Sequence, residues 1–114
     1  MKINNFEEIY SWKKAKEINI LIHKIMTNCS DYSFKDQIQR ASISIMNNIA
    51  EGFERRGDKE FKNFLFIAKG STAEVRSMTY IGRDFKYFNE EEYKLIKDLT
   101  FKIFKLISGL IKTL

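Results

Sequence analysis

Proline is absent from the 114 residues, and glycine occurs only five times. A chain without proline has few fixed turns for a β-sandwich and nothing to interrupt long helices. The single cysteine, Cys29, excludes an internal disulfide framework and a multi-cysteine zinc site, and such sparing use fits a reducing compartment. Histidine also occurs once, as His23. No apolar run approaches the roughly 20 residues of a membrane-spanning helix. The opening residues Lys2-Ile3-Asn4-Asn5-Phe6-Glu7-Glu8 contain no apolar core of a secretion signal. The expectation is a soluble, cytoplasmic protein with no membrane partner.

What is present is a globular composition. Hydrophobic residues make up 44% and charged residues 31%, with a formal net charge of +5. That length allows one domain, residues 1–114, which buries roughly two thirds of its unfolded surface without a metal or disulfide staple. The positive balance invites anionic partners, nucleic acid first.

Apolar spacing predicts four helices. The first runs from about Phe6 to Met26, with Ile9, Trp12, Ala15, Ile18, Leu21, Ile22 and Ile25 in steps of three or four. The polar cluster Thr27–Asp31 ends it. The second runs from about Phe34 to Arg55, with Ile38, Ala41, Ile45, Ile49 and Phe53 on one side. Gly57-Asp58 breaks the chain and offers an N-cap for a third helix, about Asp58 to Phe85. Asn89 followed by Glu90-Glu91-Glu92 reads as a capping box opening the fourth helix. That helix turns Tyr93, Ile96, Leu99, Ile103, Leu106, Ile107 and Leu110 inward. Short loops force antiparallel neighbours, so the expected fold is an all-α, up-down-up-down four-helix bundle.

The third helix has two apolar faces. Phe61, Leu65, Ala68, Thr72, Val75, Thr79 and Gly82 share one side and define a core stripe. Phe66, Gly70, Ala73, Ser77 and Tyr80 repeat on the opposite side, flanked by Ile67 and Ile81. Small residues there admit another backbone and large ones supply contact area, which predicts a homo-oligomer interface; scattered exposed apolar residues are the alternative. Between the two faces, Lys62, Lys69, Arg76 and Arg83 recur every seven residues in a nearly straight row. Lys59 and Lys86 extend it, and Arg55 and Arg56 precede it. Repeated around an oligomer, the row becomes a cationic surface suited to a phosphate backbone. The alternative is a solvated flank whose long side chains lie along the apolar stripes.

No catalytic constellation assembles from the rest. His23 has no glutamate three residues before it, as bundle metal sites require. Cys29 has no evident base partner. No glycine-rich phosphate loop occurs. The expectation is no catalytic residue, no metal site and no cofactor.

The segment Gln37-Ile38-Gln39-Arg40-Ala41-Ser42-Ile43-Ser44-Ile45-Met46-Asn47-Asn48-Ile49-Ala50-Glu51-Gly52-Phe53-Glu54-Arg55-Arg56 resembles the signature of the bacterial "four helix bundle protein" family. That family includes proteins encoded in intervening sequences of large-subunit ribosomal RNA genes. The likeness continues through Lys59-Glu60-Phe61 and Phe64-Leu65-Phe66-Ile67-Ala68-Lys69-Gly70-Ser71, and Trp12-Lys13-Lys14-Ala15 looks like the family's start. Two positions depart from the pattern. Gln39 stands where an arginine is usual, and Met46 where a proline is usual. The resemblance implies a bundle assembling as a ring, commonly of five subunits. Some relatives are accessory proteins of diversity-generating retroelements, which bind reverse transcriptase and nucleic acid through a basic surface. A non-catalytic oligomeric protein that binds RNA or DNA is therefore expected. A protein-only scaffold with the same fold is the alternative. Within the motif, Asn48 and Glu51 are expected to hydrogen-bond across the turn, Glu51 also to pair with Arg55, and Gly52 to let the third helix pass closely.

Overall fold

All seven positions that the spacing assigns to the core stripe of the third helix are buried in the computed structural model, which describes residues 2–114. Met1, the first residue of the expected domain, lies outside the described residues. The helices are α1 (Tyr10–Ile25), α2 (Tyr32–Glu54), α3 (Asp58–Asp84) and α4 (Glu90–Lys112). No strand occurs among the described residues. Each helix packs on two neighbours, in the cycle α1–α2–α3–α4–α1. The short connections make consecutive helices antiparallel, giving the four-helix bundle. At about 1.5 Å per residue α3 alone is about 40 Å long, which is nearly the whole 42 Å long axis of the molecule.

Isoleucine dominates the centre. Ile18, Ile22, Ile38, Ile45, Ile49, Ile96, Ile103 and Ile107 have no exposed surface, and Leu65 and Val75 join them from α3. Thr72 and Thr79 sit in that apolar stripe. Each hydroxyl donates to the carbonyl one turn back, Thr72 to Ala68 and Thr79 to Val75, so neither threonine leaves its donor open.

The opening segment is not the single long helix that the spacing predicts. Phe6–Glu8 form one 3₁₀ turn, Ile9 is extended (φ −74°, ψ 122°), and α1 begins only at Tyr10. Ile9 fits the helical spacing, but its side chain is 3% exposed, drawn into the core by the break. Asn5 and Glu8 close a capping box on the short turn. At the far end α1 gives way to a second 3₁₀ turn, Met26–Asn28.

Helix α2 starts two residues earlier than the spacing suggests, because Asp31 caps it. The Asp31 side chain accepts from the Phe34 N–H at 3.1 Å. Gly57 holds the N-cap position of α3 and supplies no side-chain cap; Asp58 and Glu60 instead place negative charge in the first turn. The Asn89–Glu92 capping box is formed as expected, with both reciprocal bonds present.

Helix α3 ends in a Schellman motif. Lys86 adopts a left-handed conformation (φ 63°), its N–H reaches Arg83 O, and the Tyr87 N–H reaches Gly82 O at 2.8 Å. Arg56 takes the same left-handed role after α2, with φ 64°. The chain then brings two connections to one end of the bundle, where the Tyr87 hydroxyl meets Asp31.

Two glycines allow close crossings. A Cβ on Gly52 would lie 2.6 Å from the Phe64 Cβ, so α2 and α3 approach there as the motif suggests. A Cβ on Gly82 would run into the Phe88 ring. Asn48 and Glu51 correct an expectation: Glu51 pairs with Arg55, one turn on, and makes no bond across the turn among the described residues. The Asn48 side-chain amide bonds Ser44 O and Oγ inside α2 rather than across the turn, and Ser44 Oγ then meets Ser71 Oγ of α3 at 2.9 Å. Asn19 donates to Ser42 Oγ at 2.8 Å and links α1 to α2. Among the described residues, α4 makes no side-chain hydrogen bond or ion pair to another helix.

Candidate nucleic-acid interface

A heptad of basic residues on a 3.6-residue helix drifts slowly around the axis. From Lys62 to Arg83 the row climbs about 32 Å at about 1.5 Å per residue. It lies on the flank of α3 that faces α4. There α4 presents Tyr93 from its buried stripe and Phe101 and Phe104 from just beside it.

Three of the four cations, Lys69, Arg76 and Arg83, rest on those rings. Lys69 Nζ is 4.6 Å from the Phe104 centroid and 5.7 Å from that of Phe66. Arg76 Cζ lies 4.6 Å above Phe101 and 5.6 Å from Phe104. Arg83 Cζ lies 4.2 Å above Tyr93. A guanidinium stacked flat on a ring keeps its N–H edge free for an anion, and the ring limits the rotamers it samples. All four residues of the row are half-buried. The row thus has the along-the-surface packing of snorkelling side chains and still presents charged heads.

The members differ in their neighbours. Arg55 pairs with Glu51 at 3.0 Å, as the motif suggests. Arg56 reaches Glu54 at 3.5 Å, and Arg83 Nε lies 3.8 Å from Asp84. Lys62, Lys69 and Arg76 have no carboxylate within ion-pair distance among the described residues. Positive charge is therefore least compensated over the first two thirds of α3. The pairs at its ends are exposed, and such pairs contribute only about 0–1 kcal/mol, so a phosphate can displace the carboxylate. Lys59 is exposed on α3; Lys86 lies in the turn beyond the helix rather than on the row.

The back face of α3 is open. Phe66 and Ile67 are 52% and 51% exposed, and Tyr80 and Ile81 are also exposed, with Gly70 and Ser77 exposed and Ala73 half-buried between them. A Cβ on Gly70 would meet nothing within 4 Å, so the space beside it is open. Phe101 of α4 is 43% exposed and continues the apolar surface across the basic row. Tyr80 meets Tyr93 edge-on at 6.0 Å. Sequence spacing on α3 missed this contribution of α4. Phe101 and Phe104, three apart and outside the core stripe, carried the signal.

Elsewhere the chemistry-bearing residues stay apart. Among the described residues no three His, Cys, Asp or Glu side chains are placed to hold a metal ion. His23 Nδ1 lies 3.4 Å from the Gln39 amide on the exposed side of α1 and α2. Cys29 Sγ is 3.9 Å from Asp31 O. Among the described residues no helix is long and apolar enough to cross a membrane.

The sequence model for the 23S rRNA-intervening sequence protein matches residues 7–109. No curated protein matches the chain. Among solved structures, a protein with unknown function from the S23 ribosomal protein family of Bacteroides thetaiotaomicron is similar over 90% of this chain and 98% of that one. The two are 26% identical, with a TM-score of 0.83.

Proposed function

Because the chain belongs to the 23S rRNA-intervening sequence protein family, we propose that it is a non-catalytic, oligomeric binding protein. It engages the phosphate backbone of RNA or DNA through the basic flank of α3. The observation that carries this reading is the set of three uncompensated cations, Lys62, Lys69 and Arg76, two of them seated on the rings of Phe101 and Phe104. Arg55, Arg56 and Arg83 extend the track at both ends. Contacts of this kind position a backbone and read no bases, so sequence preference is weak and salt dependence steep.

The open stripe Phe66, Ile67, Gly70, Ala73, Ser77, Tyr80 and Ile81 supports self-association beside the track. A closed ring, for which five subunits is the expectation, repeats the cations around one surface and multiplies their field. A reverse transcriptase is the protein partner that the family resemblance suggests. Binding to mixed-sequence RNA and DNA, followed across a salt series, tests the reading. Lys69→Glu with Arg76→Glu is expected to weaken binding at low salt by more than tenfold and to flatten the salt slope. Unchanged affinity would show that the row is not the site. Absence of any binding at low salt with the oligomer intact favours the protein-only scaffold.

A further inference from the structure

The flank of α4 beside the basic row carries cations of its own. Lys97, Phe101 and Lys105 follow one another at steps of four, so the ring stands between two lysines along the helix. Lys97 is half-buried, with Nζ 4.9 Å from the Tyr93 centroid, and Lys105 is exposed. From the other side, Arg76 Cζ of α3 lies 4.6 Å above the same Phe101 ring. Neither Lys97 nor Lys105 has a carboxylate within ion-pair distance among the described residues. Asp98, the acid nearest to Phe101 along the chain, is exposed and pairs with none of these cations.

Phosphate binding alone gives no use to that ring. Phe101 is 43% exposed even with Arg76 stacked on it, and it lies outside the buried stripe of α4. The basic row separates it from the Phe66–Tyr80 stripe, so self-association there does not call on it. A duplex cannot use the ring either. Its bases are stacked on one another and present only their edges in the grooves. An unpaired base has a free face, and aromatic side chains set among cations are the platforms on which such bases stack.

We infer that the α3–α4 flank takes a single strand of nucleic acid in preference to a duplex. A base stacks on the open surface of Phe101, and the phosphates on either side of it fall to Lys69, Arg76, Lys97 and Lys105. This inference rests on the phosphate-binding reading of the α3 row and names the form of nucleic acid that the row receives. Charge by itself gives the opposite order. A duplex carries one charge per about 1.7 Å of its axis, and each phosphate neutralised on it releases more counterion than on a single strand, about 0.9 against about 0.7. A surface that only counts phosphates therefore holds the duplex at least as tightly.

The probes are a thymidylate strand, the same backbone with abasic residues, and an A·T duplex of equal length, each titrated with the full chain by fluorescence anisotropy at one low salt concentration. The wild type is expected to bind the thymidylate strand about fivefold tighter or more than either of the others, the effect of one stacked base. Phe101→Leu keeps an apolar side chain at an exposed position. It should lose that advantage on the thymidylate strand and leave the abasic strand and the duplex unchanged, and Phe101→Trp should retain it. Equal or tighter binding of the duplex by the wild type overturns the inference. So does full thymidylate affinity in Phe101→Leu, or a loss that all three probes share, which is what a ring that only props Arg76 would give. The Lys69→Glu, Arg76→Glu pair separates this failure from that of the underlying reading. If the pair weakens all three probes while Phe101→Leu changes none, the phosphate track stands and the single-strand preference falls. If the pair changes none, or the wild type binds no probe, both fall.

Discussion

Tyr87 donates its hydroxyl proton to Asp31 Oδ2 across 2.6 Å, tying the loop before α4 to the loop before α2. The bond perturbs both groups. The Tyr87 hydrogen bond, aided by the Phe34 N–H, holds the Asp31 carboxyl below its ordinary 3.8. The same bond, then burial and the Asp31 charge, pushes the Tyr87 hydroxyl from 10.0 up to about 12. A lowered carboxyl stabilises above its ordinary value and loses that contribution as pH falls through the folded one. A raised hydroxyl stabilises below 10.0 and loses it as pH rises through about 12. Tyr87→Phe should therefore lower the Tm at neutral pH. The gap from wild type should close in strong acid and again between pH 10 and 12. A gap that stays constant with pH in a series of thermal melts would mean that the bond contributes nothing.

The two kinds of glycine on this fold should respond in opposite directions. Gly52→Ala forces a Cβ to 2.6 Å from that of Phe64 and is expected to destabilise by about 1–3 kcal/mol, as overpacking does. Gly70 faces open space in mid-helix, and Gly70→Ala should stabilise the protomer by about 0.5–1 kcal/mol through helix propensity. Urea denaturation of the two variants checks both signs.

Lys86 occupies a left-handed position that glycine adopts without steric cost. Lys86→Gly removes that strain and gives back part of the gain as unfolded-chain entropy. The net expectation is a stabilisation of a few tenths to about 1 kcal/mol, read as a higher urea midpoint with an unchanged slope. A lower midpoint would show that the lysine side chain outweighs the backbone.

Ala73 lies amid Phe66, Gly70, Ser77 and Tyr80 on the back of α3. Ala73→Arg sets a charge in the proposed contact, and burying an unpaired charge is costly. Light scattering should report a shift toward the mass of one chain. The wild-type mass in the variant would place the contact elsewhere.

How much of this was legible beforehand can be judged residue by residue. The core stripe of α3 was readable because burial and helical period coincide in Phe61, Leu65, Ala68, Thr72, Val75, Thr79 and Gly82. The Asn89–Glu92 cap was readable because it is local chemistry. Ile9 misled for the same reason that α3 succeeded. Its spacing is helical, but the core claims its side chain from an extended residue. Asp31 was placed in the loop cluster and its role as a cap depended on where α2 began. The rings beneath Lys69 and Arg76 belong to another helix, and no one-dimensional period on α3 reports which flank α4 covers. Tyr87 and Asp31 are 56 positions apart, so their bond exists only once the bundle has closed.

Helix α4 is attached by apolar contact and by ring–cation stacking, with no directed side-chain bond to its neighbours among the described residues. Apolar attraction weakens on cooling, whereas the Asn19–Ser42 and Ser44–Ser71 links between the other helices have no such dependence on hydrophobic hydration. Refrigeration should thus loosen this helix ahead of the remaining three. The floor beneath Lys69 and Arg76 is then the first part of the molecule to yield to cold.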